Sequence, residues 1–229
     1  MAFLPTTVKE IEALGWDYVD VILFTGDAYI DHPSFGAAVI GRLLEAEGYR
    51  VAIVPQPNWR DDLRDFRKLG APRLFFAVSG GAMDSMVNHY TANKRLRSND
   101  AYTAGGKAGF RPDRAVKTYT QILKRLYPHV PVVVGGIEAS LRRLTHYDYW
   151  QDSLRKSILV DSKADILVYG MGEQPILAIT EAMQRELSAE GAEYMTAQRA
   201  REITAHIPQT GHLVKSITAG EGDRLLDSH

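Results

Sequence analysis

Apolar residues follow two rhythms along this 229-residue chain, and the two alternate over its first three quarters. Short, nearly unbroken runs at 19–25, 50–54, 73–79, 130–134 and 164–169, rich in Val, Ile, Leu and Phe, read as strands buried on both faces. Between them, apolar positions recur at helical spacing. Thr7 and Glu10 have capping-box spacing ahead of Ile11 and Leu14, with Gly15 as the stop, and predict a short opening helix. Ser34, then Phe35, Val39, Leu43 and Ala46, closed by Gly48, predict a second. Further helices are expected over 61–69, from Arg111–Ala115 to about Tyr127, and over 139–144, 147–156 and 175–187. Strand and helix in turn predict an α/β fold: a doubly wound, mostly parallel, five-stranded, flavodoxin-like sheet over residues 1–188.

Two stretches depart from this rhythm. Residues 91–111, with Ser98-Asn-Asp-Ala-Tyr-Thr-Ala-Gly-Gly-Lys-Ala-Gly109, form a loop far longer than ordinary connections, a length that often marks function. Residues 189–229 carry helical signal around 197–203 and then thin into Gly, Thr and charge. They are expected to form a helical or partly disordered appendage that begins a linker to a missing domain. No internal repeat is present.

Composition narrows the chemistry. The chain has no cysteine, which excludes disulfides, zinc thiolates, thiol nucleophiles and any iron–sulfur cluster held by its own thiolates. Its apolar runs are strand-length rather than membrane-length, and its start lacks the basic and apolar regions of a signal peptide, so a cytoplasmic protein without membrane contact is expected. The 27 Lys+Arg nearly balance 28 Asp+Glu, but unevenly. Residues 94–143 hold eleven basic and three acidic residues, about +8, against about −9 elsewhere. A basic middle suits an anionic partner or substrate; paired, solvated helix faces would explain it equally.

Ligands of open parallel sheets bind beyond the carboxyl ends of the strands. Four such ends carry glycine: Gly26-Asp27, Ser79-Gly80-Gly81, Gly135-Gly136 with Glu138, and Gly170-Met-Gly172. Tight turns need glycine with or without a ligand, yet four at one edge favour a site. No dinucleotide fingerprint follows the first strand, no P-loop exists, and the seven histidines lack metal-ligand spacing. Asp27, Asp31 and His32 share one strand-end loop, as a polar ligand site or as turn and cap residues. His146-Tyr147-Asp-Tyr-Trp150 combines aromatic and polar groups, suiting either a stacking surface or domain packing.

Several long strings together resemble one family. Gly26-Asp-Ala-Tyr-Ile-Asp-His-Pro-Ser-Phe-Gly36, Met83-Asp-Ser-Met86, Arg111-Pro-Asp-Arg114, Gly135-Gly-Ile-Glu-Ala-Ser-Leu-Arg-Arg143, His146-Tyr-Asp-Tyr-Trp150 and Val160-Asp-Ser-Lys-Ala-Asp165 are similar to the amino-terminal region of YgiQ-type radical SAM proteins. The likeness runs from about Phe3 to Leu177. It implies a domain ahead of a radical SAM barrel, in cis if the chain is truncated or in trans if the gene is split. In the full-length family, that barrel's cysteine loop holds a 4Fe–4S cluster that cleaves S-adenosylmethionine; this chain has no such ligands. The fold and glycines also resemble cobalamin-binding domains, whose contacts fall here on Asp31, His32, Gly36, Ser79, Gly135 and Gly136. The usual D-x-H-x-x-G is altered, because Asp31 directly precedes His32 and three residues separate His32 from Gly36.

The favoured reading is an accessory domain, not catalytic alone. It would shape a substrate or cofactor site from Asp27, Asp31, His32, Gly36, Ser79, Gly80, Gly81, Gly135, Gly136, Glu138, Arg142, Arg143, His146 and Tyr147. The alternative is an RNA-binding module in which Arg95, Arg97, Arg111, Arg114, Arg142 and Arg143 grip phosphates while Tyr90, Tyr102, Phe110 and Tyr119 stack on bases. A third is a hydrolase built on Asp27, Asp31 and His32.

Overall fold

The computed structural model describes residues 3–214. In chain order it has α1 (Val8–Ala13), β1 (Val21–Thr25), α2 (Gly36–Ala46), β2 (Val51–Pro55), α3 (Arg64–Arg67), β3 (Phe75–Ser79), α4 (Ser85–His89) and α5 (Ala115–Leu126). Then follow β4 (Val132–Gly135), α6 (Gly136–Leu141), β5 (His146–Asp148), β6 (Ser153–Arg155), α7 (Ile158–Ser162), β7 (Ile166–Val168), α8 (Glu173–Glu190), α9 (Ala197–Thr204) and β8 (Thr210–Gly211).

The sheet runs β2-β1-β3-β4-β7-β8. Its first five strands are parallel and β8 is antiparallel to β7. The expected five parallel strands are therefore present in flavodoxin-like order, with the chain reversing direction across the sheet between β1 and β3. The unbroken apolar runs have a direct cause. Successive side chains alternate faces, and both faces are covered: Val21 and Leu23 enter one core, Ile22 and Phe24 the other. Phe24 stacks on Phe66 at 5.3 Å between ring centroids and meets Phe76 edge-on at 5.8 Å. Such a side chain contributes about 1.5–3 kcal/mol by burial, so Phe24→Ala would open the core it shares with Phe66 and Phe76.

Local signals hold where they were strong. Thr7 and Glu10 form the capping box of α1. In contrast, α2 begins at Gly36 with Phe35 as its unassisted N-cap, so Ser34 caps nothing. The helix expected over 147–156 is instead the antiparallel hairpin β5–β6, pairing Tyr147 with Leu154. Asp148 decides this: its Oδ1 accepts from the amides of Trp150 (2.9 Å) and Gln151 (3.2 Å), a side-chain-made turn that competes with helix. Residues 91–111 are held by bridges Tyr90–Leu96 and Asn99–Lys107 and one 3-10 turn at Ala104–Gly106.

The helical signal near 197–203 is α9, and Met195, Ala197, Ala200 and Ile207 around it are buried, Met195, Ala200 and Ile207 in the same core as α8. The linker expected toward residue 229 falls largely on 215–229, outside the described residues. Among the described residues, no helix is long and apolar enough to cross a membrane.

Candidate site at the carboxyl edge of the sheet

The crevice between the carboxyl ends of β1 and β3 is where a sheet of this order binds ligands. Here it holds the chain's own Arg111, delivered by the long loop and only 1% exposed. Its Nη2 donates to Asp27 Oδ1 at 2.7 Å and its Nη1 to the Gly80 carbonyl at 2.8 Å, while Asp100 Oδ2 lies 3.4 Å away. The other Asp27 oxygen accepts from the Ala82 amide at 2.6 Å. Burial pushes the Asp27 carboxyl up, against the pull of Arg111.

The glycines follow from this closure. A Cβ on Gly26 would stand 2.2 Å from the Gly80 carbonyl oxygen, and one on Gly81, at φ +107°, would stand 2.1 Å from Asp27 Oδ1. Neither position accepts a side chain: the Gly80 backbone closes the first and the Asp27 carboxylate the second.

A second carboxylate ties the helix starts together. Glu138, 1% exposed on α6, accepts from the Ser85 amide (3.1 Å) and hydroxyl (2.5 Å) at the head of α4, and from the Val116 amide (2.9 Å) in the first turn of α5. Burial raises its pKa, and the hydrogen bonds from Ser85 and Val116 pull the other way; negative charge at two helix amino termini is also favoured by the peptide dipoles. Asp84 caps α4 through the Met86 and Val87 amides and forms an ion pair with Arg142, whose pKa burial lowers.

The structure thus gathers Asp27, Ser79, Gly80, Gly81, Gly135, Gly136, Glu138 and Arg142 at one edge; Ser79 is paired in register with Gly135, and its hydroxyl accepts from the Gly81 amide. The other candidates lie apart from this cluster. Asp31 is bound by Arg42 of α2 at 2.5 Å. His32 sits on an exposed turn, its Nδ1 accepting from the Ser34 amide, and Gly36 is exposed at the head of α2. Arg143 donates to the Ser140 carbonyl, His146 Nδ1 to the Leu144 carbonyl, and Tyr147 to Asp152.

This geometry bears on two alternatives. Asp27, Asp31 and His32 do not converge, because Asp27 is locked under Arg111 and Asp31 is held on α2, so they form no hydrolytic set. For the RNA reading, Arg111, Arg114 and Arg142 are paired with Asp27, Asp148 and Asp84, and Tyr119 is fully buried, leaving it no face for a base. Sequence reasoning left Arg111, Asp100, Asp84 and Ser85 out of the site. An arginine is among the residues least expected inside, and nothing local marks it as buried.

Beside this network, a groove of about 1040 Å³ lies between the long loop, the first turn of α5 and the β5–β6 hairpin. It is lined by seven Lys or Arg side chains and two Asp. Among the described residues, no cluster of three or more His, Asp or Glu has the makings of a metal site.

Fold and edge define a doubly wound α/β domain whose ligand crevice is internally plugged. The Radical SAM N-terminal family profile matches residues 3–219, and the chain belongs to that family. It is 64% identical to a UPF0313 protein of Bacteroides thetaiotaomicron over 229 residues, which are 99% of this chain and 37% of that protein. A UPF0313 protein of Porphyromonas gingivalis is 63% identical, covering 99% and 34%. A third, from Thermotoga maritima, is 58% identical, covering 80% and 32%. The chain spans about a quarter to a third of the length of the curated relatives it matches. Among solved structures, the radical S-adenosylmethionine methyltransferase TsrM from Kitasatospora setae, with cobalamin and a [4Fe-4S] cluster bound, overlaps 86% of this chain and 29% of its own at a TM-score of 0.49 and 17% identity.

Proposed function

We propose that this chain serves as the amino-terminal accessory domain of a longer cytoplasmic radical SAM protein, helping to shape that protein's substrate site without performing its chemistry. One observation carries the reading: the chain belongs to the Radical SAM N-terminal family, matches about a quarter to a third of its relatives' length, and contains no cysteine with which to hold a cluster. The 4Fe–4S group implied for the full-length family, and the S-adenosylmethionine it would cleave, therefore belong to the remainder.

Cobalamin fits these residues poorly. His32 caps its own exposed turn, and the backbone at Gly26 and Gly81 faces the chain's own atoms rather than an open cradle, so no step is assigned to a corrin. The network around Arg111, Asp27 and Glu138 acts instead as a rigid floor. Above it, Ile137, Leu141 and Met171 stand exposed just beyond β4 and β7, apolar surface of the kind a neighbouring domain covers.

The test uses the Bacteroides thetaiotaomicron relative in full length, its cysteine-bearing remainder alone, and this chain. After anaerobic reconstitution with iron and sulfide, the first two should show cluster absorbance and convert S-adenosylmethionine to 5′-deoxyadenosine. This chain alone should do neither but should bind the remainder in trans. Turnover by this chain alone, or absence of association with the remainder, would overturn the proposal.

A further inference from the structure

The groove beside α5 carries features that internal packing does not use. Two nine-tenths-buried side chains, His89 and Arg111, form part of its wall. His89 is held in place from behind. A carboxylate only accepts, so the 3.0 Å contact between His89 Nδ1 and Asp113 Oδ1 places a proton on Nδ1, and the Tyr90 hydroxyl donates to the same carboxylate at 3.0 Å.

The groove carries more cations than carboxylates. Most cations of the groove are already committed: Arg114 to Asp148, Lys117 and Arg155 to Asp161, Arg111 to Asp27, and Arg60 to the Gly109 carbonyl. Arg97 and Lys156 line the groove with no ion pair among the described residues. The first turn of α5 also borders it, with Arg114, Lys117 and Thr118 in its lining, while the Val116 amide of that turn is taken by Glu138. Both lining carboxylates are already engaged, Asp113 by hydrogen bonds from His89 and Tyr90, Asp161 by ion pairs with Lys117 and Arg155. At about 1040 Å³ the space is at the upper end of small-ligand sites.

We infer that this groove binds a small oxyanionic ligand, one carrying a phosphate or carboxylate group, whose charge meets Arg97 and Lys156. The inference concerns this chain alone and stands whether or not the rest of the longer protein behaves as proposed above.

Calorimetric titration of the full chain with pyrophosphate, AMP and citrate tests it. Saturable one-to-one binding is expected, weakened about tenfold or more in an Arg97→Ala/Lys156→Ala variant, since charge-assisted hydrogen bonds are worth about 1.5–3 kcal/mol each. Both residues are unpaired at the surface, so this variant should keep its far-UV spectrum. Arg64→Ala, on α3 away from the groove, should bind as the parent does. Preference for pyrophosphate and AMP would identify a phosphate site, and equal binding of citrate a general oxyanion site. No saturable binding with any probe would overturn the inference, as would equal weakening by Arg64→Ala.

Discussion

Asp27 and Arg111 stand 84 residues apart in the chain and meet at 2.7 Å in the crevice between β1 and β3, both side chains at most 4% exposed. The pair replaces a ligand with protein and fixes the long loop to the sheet. Removing one partner strands the other charge in a buried site, which costs about 3–5 kcal/mol. Arg111→Met should therefore lower stability by about that amount in urea unfolding. Adding Asp27→Asn, which leaves an oxygen for the Ala82 amide, should recover at least about 1 kcal/mol. A double variant no more stable than Arg111→Met would show that the pairing is not what the crevice depends on.

Two glycines of one sequence motif should respond oppositely to alanine. Gly26→Ala drives a methyl group into the Gly80 carbonyl at 2.2 Å and should destabilise by about 1–3 kcal/mol, the usual cost of overpacking. Gly36→Ala meets nothing within 4 Å at the head of α2 and should be neutral or stabilising by up to about 1 kcal/mol. Thermal midpoints of the two variants separate these outcomes.

The β5–β6 hairpin should depend on Asp148. Burial works to raise this carboxyl, but hydrogen bonds from Arg114 and the turn amides, with the charge of Arg114, leave it below its ordinary value. Its stabilisation is therefore complete at neutral pH and lost as pH falls through that lowered pKa. Asp148→Ala should cost about 2 kcal/mol and speed amide exchange over 149–152. It should also remove part of the acid-side fall in stability.

His212, beside β8, should titrate at lower pH than an exposed histidine. Burial, with Arg201 nearby, pushes its pKa down to about 4, even though a hydrogen bond with Thr204 pulls up. The Thr210 hydroxyl donates to the Ile207 carbonyl, so His212 Nε2–H donates to Thr210 at 2.9 Å, the arrangement of a neutral ring. The unfolded chain thus binds more protons than the folded one between the ordinary histidine value and about 4, and stability falls as pH drops through that window. Amide exchange at 207–212 should quicken over that range, and His212→Phe should flatten the response. Unchanged exchange in the native protein would contradict the assignment.

The sequence alone determined the parallel sheet. A strand covered on both faces must be apolar at every position, so Val21 through Phe24 and Val132 through Val134 announce themselves without reference to any partner. The capping box of Thr7 and Glu10 was likewise legible, because its hydrogen bonds close within four residues. The hairpin at 146–155 was not: Tyr147, Trp150 and Leu154 repeat at helical spacing, and only the side chain of Asp148, tied to Arg114 on another element, tips the backbone to a turn.

The site followed the same division. That chemistry-bearing residues gather at the carboxyl ends of the strands follows from topology, which periodicity reveals. Which of them meet does not. Asp27, Asp31 and His32 are neighbours in sequence and go three ways, whereas Asp27 finds Arg111 and Glu138 finds Ser85 across long loops. Burial of a charge is favourable only when an opposite charge and hydrogen-bond partners arrive together, and that coincidence exists only in the folded chain.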